Sequence, residues 1–430
     1  MTTQAEILII GGGLAGMAAA RRANSLGLKT SVIANSTGSL PYTSGALDLI
    51  AVYPTETKFY HSKPWETLSD LLNQQPDHPY SKVGLKGVKD SIDDFMSYLE
   101  DSPLKYYRRE NENIAIITGA GTIKPTYAVQ GSLKANVLAL EQRKPTLIAG
   151  FKGLTDFAPE QVVENLQDRW PGLVAQRLDL TGLVDQKRRI TVANIASEFE
   201  KVAFRAEFAK LVKPMLGQAK FLGLPAILGM DKVMDIVADL ENRLGVEVFE
   251  IPLLSPALPG TRLANMLKND LLADGISYRQ GVPVDRLEFE GDKVTVAHRQ
   301  ARRVDQAIPV SMMVMATGRF FGGGLVAEQH RIVEPLLNTE LEVPASRDDW
   351  HMKTFLGAPG HPINRVGVKT DEYLRPVGSD GKVLYKNISV AGAILDGHDW
   401  VREKSGAGIS IATGYAAVDA LLSSSEVEAE

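Results

Sequence analysis

Residues 7–22 read ILIIGGGLAGMAAARR, and that order of residue types decides the fold. Ile7 to Ile10 is a short apolar run of the kind expected for a parallel strand covered on both faces. Gly11, Gly13 and Gly16 follow at the spacing G-x-G-x-x-G, and an Ala-rich stretch predicted to be helical runs to Leu26, where Gly27 ends it. The three glycines allow a tight turn, a close approach of backbone to a pyrophosphate, and close helix–strand packing. The helix N-terminus then offers N–H groups and a partial positive charge to the phosphate. Residues 29–34 supply a second strand, so a β-α-β nucleotide-binding unit opens the chain.

The second strand departs from the usual pattern. A carboxylate that holds a ribose is expected about twenty residues beyond the glycines, but SVIAN places Ala34 and Asn35 there. Asn35 or Ser36 can hydrogen-bond a ribose hydroxyl without the strength of a charged acceptor. Two readings stay open on this motif alone: a variant dinucleotide site, or a mononucleotide site with no adenosine.

Composition narrows the function class. The 430 residues, 44% hydrophobic and 23% charged, suit a globular protein of two or three domains. With a net charge of −5 and no Lys/Arg block, the chain carries no footprint for nucleic acid. It contains no cysteine, which excludes disulfides, cysteine-ligated zinc and cysteine-bound iron–sulfur clusters within it. Electrons passing through it need an organic cofactor or a partner. The start lacks a basic n-region, and no apolar stretch is long enough to span a bilayer, so a cytoplasmic location is expected. The acidic tail SSSEVEAE reads as a frayed end.

Beyond residue 53 the chain reads as irregular to about 103, with one helix over 88–99. Strands are predicted at 146–149, 174–180 and 246–251, and helices at 160–170, 193–213 and 231–244. Their alternation describes an inserted α/β domain with its own parallel sheet. Strand, turn and strand follow over 278–298, an apolar strand over 309–316, a short strand at 388–392 and a helix over 408–422. The expected division is 1–53 plus 259–430 for the nucleotide-binding domain and 54–258 for the insertion. The fold class is α/β: a doubly wound, Rossmann-like flavin-binding domain built from both chain ends, with an inserted α/β domain.

Two later stretches point to flavin. VSMMVMATG ends an apolar strand in Ala316-Thr317-Gly318, and NISVAGAILDG is followed by SGAGISIATGYAAVDALL. Both have counterparts in two-dinucleotide-fold flavoproteins, whose last helix aims its N-terminal dipole at the isoalloxazine. Ala393 stands where many of them carry an acidic residue, with Asp396 close behind. No G-x-S-x-G, P-loop or H-E-x-x-H motif occurs, and the seven histidines are scattered, so no metal site is expected. His398, Asp399 and Lys404 are candidate proton acceptors by chain position alone. Arg262 and Arg375 could clamp an anion, although structural pairing is the commoner fate of such residues.

Several longer strings resemble the B subunit family of anaerobic glycerol-3-phosphate dehydrogenase, nearly end to end. They are GGGLAGMAAA, YTSGALDLI, HPYS, GTIKPTY, ATGRFFGGGLVAE, EPLL, GVKTDEYLRP and AGAILDG, in that order. The resemblance implies a flavoprotein with FMN as cofactor, FAD being the alternative. It implies partnership with an FAD-containing catalytic subunit and a membrane-associated iron–sulfur subunit, at the inner face of the cytoplasmic membrane. That complex oxidises sn-glycerol 3-phosphate to dihydroxyacetone phosphate and passes the electrons to quinone. The cofactor-binding candidates are Gly11, Gly13, Gly16, Asn35, Ser44, Gly45, Thr317, Gly318, Gly392, Gly406 and Gly408. Two other readings stay open: a structural subunit with a degenerate flavin fold, and a free-standing flavin oxidoreductase for another small acid.

Overall fold

The computed structural model describes residues 5–184, 190–301, 304–355 and 357–427. Two parallel sheets organise it. Their strands, in chain order, are β1 (Ile7–Ile10), β2 (Thr30–Ala34), β3 (Thr146–Phe151), β4 (Leu173–Leu178), β5 (Phe221–Pro225), β6 (Glu247–Ile251), β7 (Ser277–Gln280), β8 (Met312–Met315) and β9 (Ile388–Val390).

The first sheet runs β7-β2-β1-β8-β9. Ile7 pairs with Thr30 on one side and Met312 on the other, so the strands begin level. All four residues of β1 and all five of β2 are buried, as a sheet covered on both faces requires. The chain passes from β1 to β2 on one side and later to β8 on the other. That reversal is a topological switch point, where open α/β sheets leave a crevice outside the strands' carboxyl ends. Helix α1 (Leu14–Ser25) follows β1 and packs against the closing helix, Gly406–Val427. Small residues let the two approach: a methyl on Gly414 would lie 2.7 Å from Ala15 O. At the far end Arg22 and Asp419 form a paired ion bridge, 2.8 and 3.2 Å.

The second sheet runs β6-β5-β3-β4 and is also parallel. Beside it Glu250 and Arg262 are both fully buried and bonded twice, at 2.5 and 2.9 Å. Ser132 Oγ and the Leu228 N–H also donate to Glu250, and Arg262 Nε donates to Gly229 O. Burial pushes the Glu250 carboxyl up, but the Arg262 charge and these hydrogen bonds outweigh it and hold it below its ordinary value. Arg262 is thereby a structural cation, as Arg375 is through its pairing with Asp371 at 2.7 Å.

By their internal contacts the residues form two compact units. One is Met1–Leu40, Asp48–Phe95 and Ala264–Glu430; the other is Pro41–Leu47 and Met96–Leu263. Residues 48–95 therefore group with the first sheet, whereas the sequence division at 54–258 put most of them in the insertion. The stretch read as irregular apart from 88–99 is mainly helical, with a helix at Pro64–Gln74 and a helical run over Pro79–Asp101 that is kinked at Gly84. Pro64 and Pro79 open these helical stretches, where a missing N–H costs nothing. The predicted helix over 193–213 is two, Val192–Phe199 and Val202–Val212. The predicted hairpin over 278–298 gains a further strand, making an antiparallel sheet of Arg286–Glu290, Lys293–Ala301 and Val304–Pro309. The closing helix extends to Val427, into the tail read as frayed; residues 428–430 lie outside the described residues. Among the described residues no helix is long and apolar enough to cross a membrane.

Candidate functional site

A groove follows the carboxyl edge of the first sheet at its switch point. It is lined by Gly11–Ala15 after β1, Asn35 and Ser36 after β2, Pro283 and Val284 beyond β7, Ala316–Arg319 after β8, and Ala393 after β9. It thus passes the ends of all five strands. Four interstrand spacings of about 4.8 Å make that roughly 19 Å.

The glycine turn is built for this position. Gly11 has φ +123°, and a methyl there would sit 2.1 Å from Ala316 O, so only glycine lets β1 turn beside β8. Gly16 does not reach the groove. It packs α1 against the turn, where a methyl would meet Gly11 O at 2.0 Å. Gly13 caps α1 with no side-chain bond to its N–H groups, and a methyl there would meet nothing nearer than 4.0 Å. No acidic residue lies in the first turn. The positive end of the α1 dipole is therefore open to an anion.

Two buried donors on the groove wall lack partners among the described residues: Thr317 Oγ1 and Arg319 Nε. Arg319 Nη2 is anchored on the loop after β9, donating to Leu395 O at 2.9 Å and His398 O at 3.1 Å. Burial lowers the Arg319 guanidinium to about 10, against the pull of Asp396, Asp399 and Glu403, which leaves it cationic at neutral pH. Open helix N–H groups, unfilled donors and a cation form the donor set that a phosphate-bearing, acceptor-rich flavin requires.

The sequence candidates divide accordingly. Gly11, Gly13, Asn35, Thr317 and Gly318 line the groove together. Gly392, Gly406 and Gly408 are not in that lining and are closely packed. A methyl on Gly392 would meet the Ala15 methyl, one on Gly406 the Trp400 ring, and one on Gly408 Tyr80 Oη at 2.0 Å. Ser44 and Gly45 belong to the second unit, where Tyr106 Oη donates to Gly45 O at 2.6 Å. Asp396 does not take the place left by Ala393, because its carboxylate accepts the Gly367 N–H and the residue lines a different cleft.

His398, Asp399 and Lys404 are absent from the groove lining. Asp399 caps the short helix Trp400–Glu403 and pairs with Arg402 at 3.3 Å. His398 is buried, which holds its imidazole well below the ordinary value, with Arg319 adding to the effect. Behind it, Glu403 meets His78 at 3.3 Å and Ser405 at 2.7 Å. Burial raises the Glu403 carboxyl, but these partners win and bring it to about 2. Sequence reasoning missed Arg319, the Gly322–Gly324 turn and Glu334–Leu336 in the groove lining. The run of three glycines was the signal: a methyl on Gly324 would strike Gly318 O at 1.9 Å.

The chain matches the FAD binding domain family over residues 6–409. A probable B subunit of anaerobic glycerol-3-phosphate dehydrogenase from Halobacterium salinarum is 30% identical, over 97% of this chain and 97% of its own length. The B subunit of the anaerobic glycerol-3-phosphate dehydrogenase of Vibrio cholerae is also 30% identical, over 97% of this chain and 96% of its own. The chain belongs to this B subunit family. By class it is an oxidoreductase subunit with a flavin-binding fold. Among solved structures, a 3-ketosteroid delta1-dehydrogenase of Sterolibacterium denitrificans aligns with 98% of this chain and 100% of its own, at 13% identity and TM-score 0.47.

Proposed function

We propose that this chain is the flavin-holding subunit of a membrane-linked complex that oxidises sn-glycerol 3-phosphate to dihydroxyacetone phosphate. The observation that carries the reading is the groove itself, which crosses every strand end of the first sheet and presents open N–H groups and a cation. The relatives are named as the B subunit of an anaerobic dehydrogenase, which supports both the substrate and the presence of companion subunits. A bound flavin supplies the two-electron acceptance that turning a secondary alcohol into a ketone requires. The chain's part is to hold that group: α1 and Gly13 toward the phosphates, Asn35 toward a ribose, Thr317 and Arg319 along the β8 side.

FAD is the cofactor the groove favours. Its lining runs past β2 to Pro283 and Val284, beyond the reach a mononucleotide needs. The match to the FAD binding domain family points the same way. FMN is the second reading, favoured by the neutral Ala34-Asn35 at the ribose position. The chain carries no cysteine and so no cysteine-bound cluster of its own; its resemblance to the B subunit family implies onward transfer through an FAD-containing catalytic subunit and a membrane-associated iron–sulfur subunit that delivers to quinone. On that reading the chain sits at the inner face of the cytoplasmic membrane through a partner.

The test is anaerobic addition of sn-glycerol 3-phosphate to the assembled complex while the flavin absorbance of this subunit is followed. The reading expects bleaching that needs the partners. Bleaching of the isolated chain alone would mark a free-standing oxidoreductase. Turnover that survives bulky replacements of Gly13 and Gly16, with assembly confirmed, would mark a structural subunit.

A further inference from the structure

The groove has two distinguishable ends, and Arg319 lies at one of them. Asn35, at the ribose position after β2, fixes the nucleotide end on the β2–β7 side. The α1 N-terminus takes the phosphates at the centre. The flavin ring then falls on the β8–β9 side, among Arg319, Ala393, Trp400 and Ser410.

Arg319 is held there in an unusual state. Its Nη2 is fixed by two carbonyls of the loop after β9 and lies 3.2 Å from His398 Nδ1. Since Nδ1 accepts that donor, the His398 proton is assigned to Nε2 and the imidazole is neutral. The surrounding carboxylates are bonded elsewhere: Glu403 to His78 and Ser405, Asp399 to Arg402, Asp396 to the Gly367 N–H. Among the described residues Arg319 forms no ion pair, and its buried Nε has no acceptor. A buried donor left unfilled costs about 1–3 kcal/mol. That unfilled donor lies in a residue that lines the groove, within reach of whatever the groove binds.

We propose that Arg319 is the fixed cation at the ring end of the groove, anchored by the Leu395 and His398 carbonyls, and that it stabilises the reduced flavin ring. The inference rests on the flavin reading above. The ring gains negative charge when it takes up two electrons and one proton, and a cation held beside it in a dry site favours that state. Arg319 therefore raises the midpoint potential of the bound flavin and makes it a better acceptor from an alcohol.

The experiment is an anaerobic, dye-linked potential titration of the bound flavin in the wild-type protein, R319Q and R319K, with the flavin-to-chain ratio measured in each. R319Q is expected to lose at least tenfold in its preference for reduced over oxidised flavin. That loss lowers the midpoint by about 30 mV or more for a two-electron couple. R319K keeps the charge without the planar fork and is expected to retain most of the potential. Where R319Q holds flavin loosely, the same ratio is read from the dissociation constants of oxidised and reduced flavin. A wild-type preference in R319Q overturns the proposal. Wild-type protein that takes up no flavin overturns the reading beneath it instead.

Discussion

The two parallel sheets solve the same topological problem in opposite ways. Each reverses strand order and so leaves a crevice at its carboxyl edge. Beside the second sheet, buried polar groups are mutually satisfied: Glu250 and Arg262 bond twice, and Ser132, Leu228 and Gly229 fill further positions. Beside the first, glycines hold the backbone close, while Thr317 Oγ1, Arg319 Nε and the N–H groups of α1 have no side-chain partner. A satisfied network rigidifies a fold and needs no ligand. An edge of open donors is stabilised by what binds there.

That contrast can be broken by substitution. The largest effect is expected for E250Q, which keeps the shape but leaves the buried Arg262 guanidinium without its counter-charge, at about 3–5 kcal/mol. Denaturant unfolding should register the loss, while the flavin-to-chain ratio at low temperature stays at the wild-type value. An equal loss of flavin would deny that the two sheets have separate tasks. G16A inverts the pattern. Its methyl drives α1 from the turn, an overpacking cost of about 1–3 kcal/mol, and flavin content should fall at least tenfold. G13A has room for its methyl, so thermal stability of the flavin-free protein should be unchanged while flavin binding weakens, as isothermal titration would show.

A smaller effect concerns pH. Because the folded imidazole of His398 lies well below its unfolded value of 6.5, the unfolded chain binds more protons once pH drops beneath that value. Stability is therefore full above 6.5 and falls as pH decreases toward the folded value, by at most about 1.4 kcal/mol per pH unit. Melting curves between pH 7 and 5 should show this slope, and H398Q should flatten it. The smallest effect is expected for K86A. The Lys86–Asp90 pair, at 2.6 Å, is solvent-exposed, so its removal should leave the melting temperature unchanged.

How far the chain could be read from its residues follows the same division. The β1–turn–α1 unit was legible because Gly11, Gly13 and Gly16 act locally, within one turn of backbone. Three strands of the second sheet were legible as apolar runs alternating with helices, but Phe221–Pro225, which lies between two of them, was not read. The helices that open at Pro64 and Pro79 were read as irregular chain, because a proline that opens a helix and one that ends it look alike in a one-dimensional pattern. The break after Phe199 was hidden for another reason. Glu200 turns its carboxylate to the Met230 and Asp231 N–H groups, thirty residues away in the chain. Arg319 was illegible because its meaning depends on Leu395 and His398, 76 and 79 positions later. Gly392, Gly406 and Gly408 matched a flavoprotein pattern by chain order, and each is also closely packed: a methyl would meet Ala15, Trp400 and Tyr80 in turn.

The central claim is that the open edge of the first sheet holds a dinucleotide flavin. An absorption spectrum of the purified chain, followed by chromatography of the flavin that heat releases, tests it most directly. The account predicts FAD, near one per chain and lost in G16A. FMN would mean that Pro283 and Val284 close the groove without touching cofactor, and a colourless chain that takes up neither flavin would contradict the claim outright.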